Sequence, residues 1–163
     1  MLEGATVELG INFLGDRAEW WEHARRVIYT GPLDALFDND QGRLEWRGMR
    51  FEHRREEREV WQGCATMNYT SADVPYLREE EWKFFWPNGK TPYSWVTRSW
   101  PDETEPFYPV PDERNRRLAD EYKARAEAAG YIVGGRLGSY KYLDMHAAIA
   151  AALVTVRKEF QNA

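Results

Sequence analysis

Apolar and polar positions change period several times along the chain, and each change marks an element. Ala5, Val7, Leu9 and Ile11 alternate with polar or small residues, which predicts a strand. Asp16 is placed to cap a helix carrying Trp20, Trp21 and Ala24 and ending near Arg26. Val27 to Tyr29 reads as a short buried strand, and Thr30-Gly31-Pro32 as the start of a brief helical turn. From Leu44 to Tyr69 the pattern is that of a hairpin. Leu44 and Trp46 share one parity, Met49, Phe51 and His53 the other, and the slip at Gly48 predicts a bulge. The returning strand sets Trp61, Ala65, Met67 and Tyr69 against Gln62, Cys64, Thr66 and Asn68 on the opposite face. Trp82, Phe84 and Trp86 lead into Pro87-Asn88-Gly89, a hairpin signal, and Tyr93, Trp95 and Thr97 return from it. A proline-rich loop covers Pro101 to Pro111. Asp112 then caps a helix with Leu118, Tyr122 and Ala126 inward, and Gly130 stops it. A strand at Tyr131 to Val133 precedes a last helix carrying Met145, Ile149, Ala152, Leu153 and Val156 and running to about Phe160.

These elements predict an α+β protein: a mostly antiparallel twisted sheet with flanking helices, then helix, strand and helix. The boundary falls between residues 1–110, a sheet domain, and residues 111–163. The last strand-to-helix step has the form of a βα unit from a parallel sheet, and the pattern offers it no upstream βα partner. It therefore reads as the end of a larger nucleotide-binding domain.

Composition narrows the function. The 163 residues suffice for a real core, and 43% hydrophobic with 30% charged residues indicates a globular, soluble chain. A net charge of −5 without a basic stripe speaks against a nucleic-acid binder. There is no apolar run of membrane-spanning length and no signal peptide, and a single cysteine, Cys64, excludes an internal disulfide. A cytoplasmic location is expected. The aromatic share of 15% has two readings: core filling in a sheet-rich domain, which residue statistics favour, or a ring-stacking, sugar-binding surface.

Candidate chemistry concentrates in Gly134-Gly135-Arg136-Leu137-Gly138-Ser139-Tyr140-Lys141-Tyr142-Leu143-Asp144-Met145. Glycines at a strand end let the backbone pass close to a ligand, and Asp144 opens a helix whose N-terminus attracts negative charge. By residue type alone, Asp144 is equally an N-cap, and Arg78 a surface ion pair with Glu79 to Glu81. Likewise Tyr108 and Tyr142 read as packing residues, and Arg47 and Asn68 as solvated strand residues. His23, His53 and His146 lack metal-ligand spacing, Cys64 lacks signs of an activated thiolate, and Glu56, Glu57 and Glu59 read as a solvated hairpin.

That glycine-rich run closely resembles the flavin-contacting segment of the UDP-galactopyranose mutase family. Other segments resemble the family in order and spacing: Ile28-Tyr29-Thr30-Gly31-Pro32-Leu33-Asp34, Leu44-Glu45-Trp46-Arg47-Gly48-Met49-Arg50-Phe51, the run from Gln62 to Arg78 ending Asp73-Val74-Pro75-Tyr76-Leu77-Arg78, and Pro106-Phe107-Tyr108-Pro109. Five matches in order are far more specific than one short motif. The resemblance implies interconversion of UDP-galactopyranose and UDP-galactofuranose through a sugar adduct on N5 of reduced FAD. It implies Arg78 as a clamp on the UDP diphosphate, with hydroxyls from Tyr108 and Tyr142, and Arg47 and Asn68 facing substrate and flavin from the sheet. It gives Arg136 to the cofactor phosphates and Leu143, Asp144 and Met145 to the helix start before the flavin ring. No catalytic residue and no metal is assigned.

Two departures stand out. Where the family carries a glutamate before the proline-rich loop, this chain has Ser99. No Gly-x-Gly-x-x-Gly fingerprint follows a strand, so the resemblance implies that the main ADP-binding element and the helical domain with its mobile lid lie outside these 163 residues. The expected partners are the UDP-sugars, an N-terminal FAD-binding part on a separate polypeptide or in a longer parent chain, and, by family habit, a second copy in a homodimer. FAD binding by the chain alone is expected to be weak or absent. A flavin-free sugar-nucleotide or carbohydrate-binding module and an inactive gene remnant are the alternatives.

Overall fold

The computed structural model describes residues 3–86 and 90–160. They form two compact units, one of residues 45–110 and one joining residues 1–44 to 111–163. The class is α+β.

The unit of residues 45–110 is an antiparallel sheet. Its strands are β2 (Trp46–Glu56), β3 (Thr66–Asn68), β4 (Arg78–Glu81), β5 (Ser94–Asp102) and β6 (Tyr108–Pro109), in the order β3-β4-β5-β2-β6. β2 is predicted to return into the strand around Met67, but it pairs instead with β5 over nine residues, from Gly48↔Asp102 to Glu56↔Ser94. Its first two residues pair with β6. The irregularity at Gly48 is thus the point where β2 changes partner. A side chain there would collide with the carbonyl oxygens of Asp102 and Glu105, so the tight exchange needs glycine.

Segment 57–65 does not turn back as a hairpin because buried carboxylates on β4 capture it. Glu81 accepts hydrogen bonds from the backbone N–H groups of Trp61 (3.0 Å), Gln62 (2.8 Å) and Gly63 (3.2 Å), and from Ser94 Oγ (2.6 Å). Glu79 accepts from Trp61 Nε1 and from the guanidinium groups of Arg54 and Arg98. Both carboxylates are buried. The aromatic alternation at Trp82–Phe84 forms a 3₁₀ turn rather than a strand. The predicted turn Pro87-Asn88-Gly89 lies outside the described residues. The proline-rich stretch is shorter than predicted as a loop, since β5 runs through Pro101 to Asp102 and β6 takes Tyr108–Pro109.

The other unit holds α1 (Arg17–His23), β1 (Val27–Tyr29), a 3₁₀ turn at Ala35–Phe37, α2 (Glu113–Ala128), β7 (Tyr131–Val133), α3 (Gly135–Ser139) and α4 (Met145–Phe160). β1 and β7 pair in parallel, Ile28 opposite Ile132. The last strand therefore does have an upstream partner, which three residues of pattern could not reveal. α2 follows its sequence signals closely. Asp112 accepts from the Asn115 N–H at 2.7 Å, Leu118, Tyr122 and Ala126 are buried, and Gly130 ends the helix at φ +83°. Tyr29, Leu36 and Ala126 centre the core, with Phe13, Leu14, Phe37, Tyr131 and Val133 around them. Trp21 of α1 donates its indole N–H to Tyr131 Oη at 2.7 Å. The alternating Ala5–Ile11 segment is no strand. Val7 and Leu9 are exposed, so alternation there has no sheet to pack on. Among the described residues no helix is long and apolar enough to cross a membrane.

Core filling explains only part of the aromatic content. Trp82, Phe84, Phe85, Trp86 and Trp95 are all at least 41% exposed, while Tyr29, Tyr122 and Tyr140 are buried. Several rings instead carry guanidinium groups: both Arg54 and Arg58 lie over Trp61 at 4.7 Å.

Candidate functional site

In antiparallel pairs, directly opposed residues share a face, and this places most sheet candidates together. Phe51 of β2 opposes Ser99 of β5, Ser99 opposes Arg78 of β4, and Arg78 opposes Asn68 of β3. One rung thus crosses four strands. On the same face of β2, four residues before Phe51, Arg47 opposes Tyr108 of β6. By strand spacing, the Arg47 and Arg78 backbones stand on the order of 16 Å apart, a span that two long guanidinium side chains can close on one extended ligand.

Arg78 is half-exposed and partly fixed. Its Nε donates to Asn68 Oδ1 at 2.9 Å, and its Nη1 lies 3.8 Å from Glu80 Oε1. The surface ion pair expected with Glu79 to Glu81 is therefore made with Glu80 alone, because strand alternation turns Glu79 and Glu81 to the buried side. The next rung, His53–Thr97–Glu80–Thr66, is polar. Thr97 Oγ1 takes a bond from Trp82 Nε1 at 2.6 Å and lies 2.7 Å from His53 Nδ1. His53 is exposed on the candidate face, a placement its sequence context did not signal. Ser99 is 2% exposed between Phe51 and Arg78, so no carboxylate stands at the centre of the rung.

A groove of about 560 Å³ at the β2–β5 end is lined by Trp46, Arg47, Gly48, Pro101, Asp102 and Glu103. Bonds from Thr104 Oγ1 (2.6 Å) and the Thr104 N–H (2.7 Å) hold the Asp102 carboxyl below the ordinary carboxylate range. The groove therefore pairs a fixed positive and a fixed negative charge at neutral pH. Beside it, Tyr108 packs edge-on against Phe107, which packs on Phe51.

The remaining candidates lie in the other unit. Arg136 of α3 donates from Nη2 to the Leu143 carbonyl at 2.8 Å, and its guanidinium sits 4.8 Å from the Tyr142 ring centroid. Tyr142 is thus grouped with the cofactor candidates Arg136 and Leu143. Asp144 immediately precedes α4, and its carbonyl accepts from the Ala148 N–H at 2.9 Å. Met145, the first helical residue, is 86% exposed.

The short helix α3 inside the glycine-rich run was not predicted, and it changes what the glycines do. Gly135 adopts φ +70°, which starts α3 directly after the strand. A side-chain carbon on Gly138 would sit 2.8 Å from the Tyr29 carbonyl oxygen, so this glycine serves close packing of α3 against the end of β1. At Gly134, by contrast, a side-chain carbon would meet nothing within 4 Å, and the backbone is extended at φ −153°. We expect Gly138→Ala to lower stability by about 1–3 kcal/mol and Gly134→Ala to change it by less than about 0.5 kcal/mol. Urea titrations of the two variants check this, and equal effects would refute the assignment.

Cys64, partly buried, has its thiol 3.6 Å from the Thr66 carbonyl. Among the described residues no group of His, Cys, Asp and Glu is arranged to hold a metal.

Comparison with known proteins places the sequence in a family. The UDP-galactopyranose mutase family profile matches residues 1–142. A probable UDP-galactopyranose mutase of Klebsiella pneumoniae is 39% identical over 158 residues, 94% of this chain and 40% of that protein. The dTDP-fucopyranose mutase of Escherichia coli is 33% identical over 86% of this chain and 39% of its own length. The UDP-galactopyranose mutase of Mycoplasma pneumoniae is 32% identical over 83% of this chain and 36% of its own. The chain spans at most 40% of the length of these relatives. On the extent of the profile match and the similarity to these mutases, the chain belongs to the UDP-galactopyranose mutase family.

Proposed function

We propose that this chain is the substrate-facing sheet and C-terminal portion of a flavin-dependent mutase that interconverts UDP-galactopyranose and UDP-galactofuranose. The observation that carries this reading is the rung in which Asn68 orients a half-exposed Arg78, with Arg47 and Tyr108 on the same sheet face. A guanidinium held by one nitrogen keeps a fixed direction toward a diphosphate, where charge-assisted bonds are strong and directional. Arg78 clamps the diphosphate, the hydroxyl of Tyr108 adds a donor, and Arg47 and Asn68 face the sugar.

The residues of the glycine-rich run fit one edge of FAD. The open backbone at Gly134 admits close approach, and Arg136 brings a guanidinium suited to phosphate. Reduced FAD, when bound, supplies the nucleophilic ring nitrogen for the sugar. Leu143, Asp144 and Met145 place the N-terminus of a 16-residue helix beside the ring, where its dipole favours negative charge. In this reading residues 111–163 belong to an FAD-binding domain completed by an N-terminal part on a second polypeptide or in a longer parent chain, and residues 1–163 alone bind FAD weakly or not at all.

The test is to co-express this chain with the part of the Klebsiella pneumoniae relative outside the matched segment. UDP-galactopyranose turnover is then followed chromatographically under reducing conditions. We expect flavin and turnover in the complex only, and a loss of about 10- to 150-fold in kcat/KM for Arg78→Ala, the worth of one charge-assisted contact. A flavin-loaded complex inactive on both UDP- and dTDP-sugars would overturn the reading, as would full activity in Arg78→Ala. A flavin-free binding module is favoured by the exposed Trp82, Trp86 and Trp95. Calorimetry separates the two, because only the module binds UDP-galactose tightly without FAD.

A further inference from the structure

The polar rung beside Arg78 holds a hydrogen-bond relay whose direction is fixed by its donors. Trp82 Nε1 can only donate, and it donates to Thr97 Oγ1 at 2.6 Å. Thr97 is 1% exposed, so its own hydroxyl proton needs an acceptor within the protein. Among the described residues that acceptor is His53 Nδ1, 2.7 Å away. The hydroxyl therefore donates to Nδ1, and the neutral imidazole carries its proton on Nε2. Nε2 has no partner among the described residues, and His53 is exposed. His53 thus presents an N–H donor of fixed polarity to open space.

The relay stands on the face that carries Arg78, because His53, Thr97 and Glu80 each lie two positions from a residue of the Arg78 rung. By strand spacing the two rungs are about 7 Å apart. Glu80 supplies a carboxylate to the same rung as His53, with its side chain 18% exposed and Arg78 Nη1 at 3.8 Å. One rung further, Trp95 opposes Arg55 and is 50% exposed, while Arg55 is drawn off to Glu57 at 3.0 Å and to the Tyr93 ring. Trp82, 47% exposed, is tied to this face by its bond to Thr97. A fixed N–H donor and a carboxylate on one rung suit neighbouring hydroxyls, each of which both accepts and donates. The half-exposed indole rings offer an apolar platform to the C–H face of a ring. The rung itself carries no lysine or arginine, so it does not select a phosphate.

We propose that His53 is a ligand-contacting residue of a sugar-ring subsite formed with Glu80, Trp82 and Trp95, and that Thr97 is the positioning residue that fixes its tautomer. The ligand is a neutral ring bearing neighbouring hydroxyls. It comes either from the sugar nucleotide held by Arg78, a source that rests on the mutase reading, or from a separate glycan.

The test is nitrogen NMR of the histidine rings in the 163-residue chain, in mildly alkaline buffer, with UDP, UDP-galactose and methyl β-galactoside added separately. His53 should show an unprotonated Nδ1 and a protonated Nε2, and Thr97→Val should convert it to a mixture of tautomers. A bound sugar ring should move the Nε2 resonance of His53 and leave that of His23, in the other unit, in place. A shift with UDP assigns the ribose. A shift with UDP-galactose but not UDP, lost in Arg78→Ala, assigns the hexose, and one with the glycoside that survives Arg78→Ala assigns a separate glycan. In the arm that responds, His53→Phe and Trp95→Ala should each weaken binding about 3- to 10-fold, while His53→Gln, which keeps an N–H donor, recovers most of the loss. Both positions are exposed, and circular dichroism of the variants shows that the fold persists. A protonated Nδ1, no response of His53 to any of the ligands, or unchanged affinity in His53→Phe overturns the proposal. Failure here leaves the Arg78 clamp standing, since that clamp is read on turnover. A completed enzyme without turnover sinks the mutase reading and leaves the glycoside arm.

Discussion

Replacing Glu81 with glutamine lowers the stability of the sheet unit by about 2–4 kcal/mol and flattens its dependence on acid pH. The wild-type carboxylate collects the N–H groups of Trp61, Gln62 and Gly63 and the Ser94 hydroxyl while it is 0% exposed. Burial alone would push its pKa up. The Ser94 bond and the three backbone bonds outweigh it, so the net direction is down from the ordinary value of 4.5. A depressed folded pKa contributes stability that is fully present above the unfolded value and disappears as pH falls through the folded one. The wild type should therefore lose stability below about pH 4.5 more steeply than Glu81→Gln. Glutamine keeps one acceptor but turns an NH₂ group toward backbone donors, which leaves buried N–H groups unpaired. Thermal melts of both proteins across that pH range decide the matter. Equal melting temperatures, or equal acid slopes, would sink the assignment.

The same carboxylates show why the sheet was only partly legible. Arg78-Glu79-Glu80-Glu81 has no apolar alternation, and four charged residues in a row read as a solvated run. The strand forms because its two inward positions are charges satisfied by arginines, an indole and backbone N–H groups rather than by an apolar core. No periodicity rule detects that. The misassigned hairpin has the same origin. Consecutive strands usually pair, but segment 57–65 spends its N–H groups on Glu81, which leaves β2 free to pair with β5. At α2 every local signal agrees with the tertiary role, so cap, apolar face and stop were readable from residue types alone. Alternation at Ala5–Ile11 and at Trp82–Trp86 misled for the opposite reason: apolar period two describes a strand only when a sheet receives it.

The arrangement of the candidate residues was not legible in the sequence. The family resemblance, not residue type, made Arg78, Asn68, Arg47 and Tyr108 candidates. Their grouping into rungs follows from the order β3-β4-β5-β2-β6, in which the ends of the segment, β3 and β6, are brought to opposite edges. The glycine-rich run divides in a way its sequence does not show. Gly138 answers to the backbone of Tyr29, while Gly134 faces open space. One motif thus combines a packing requirement and an approach surface, and only the contacts separate them.

Removing Glu79 has a comparable effect on stability by a different route. Its carboxylate is 3% exposed and joins Arg54 and Arg98, whose side chains are 23% and 22% exposed, with Trp61 Nε1 as a third donor. Each guanidinium is also stacked, Arg54 on Trp61 and Arg98 on Tyr76. Neither can swing into water without giving up a ring contact. Glu79→Ala therefore leaves Arg98 without its carboxylate and Arg54 with Glu56 alone (2.7 Å), and an expected loss of about 3–5 kcal/mol follows. If desolvated charge causes the loss, replacing Arg54, Glu79 and Arg98 together by methionine should recover most of it, because the apolar triad needs no counter-ion and Glu56, which loses Arg54, keeps one-fifth of its side chain in water. If Glu79 acts mainly as the acceptor for Trp61, the triple variant should be as unstable as Glu79→Ala, and Trp61→Phe should be equally damaging. Urea unfolding of these three variants distinguishes the cases. The outcome also bears on ligand binding. β4 carries Glu79 and Glu81 on its buried side and Arg78 on the other, so whatever fixes the buried side sets the position from which Arg78 and Asn68 meet a diphosphate.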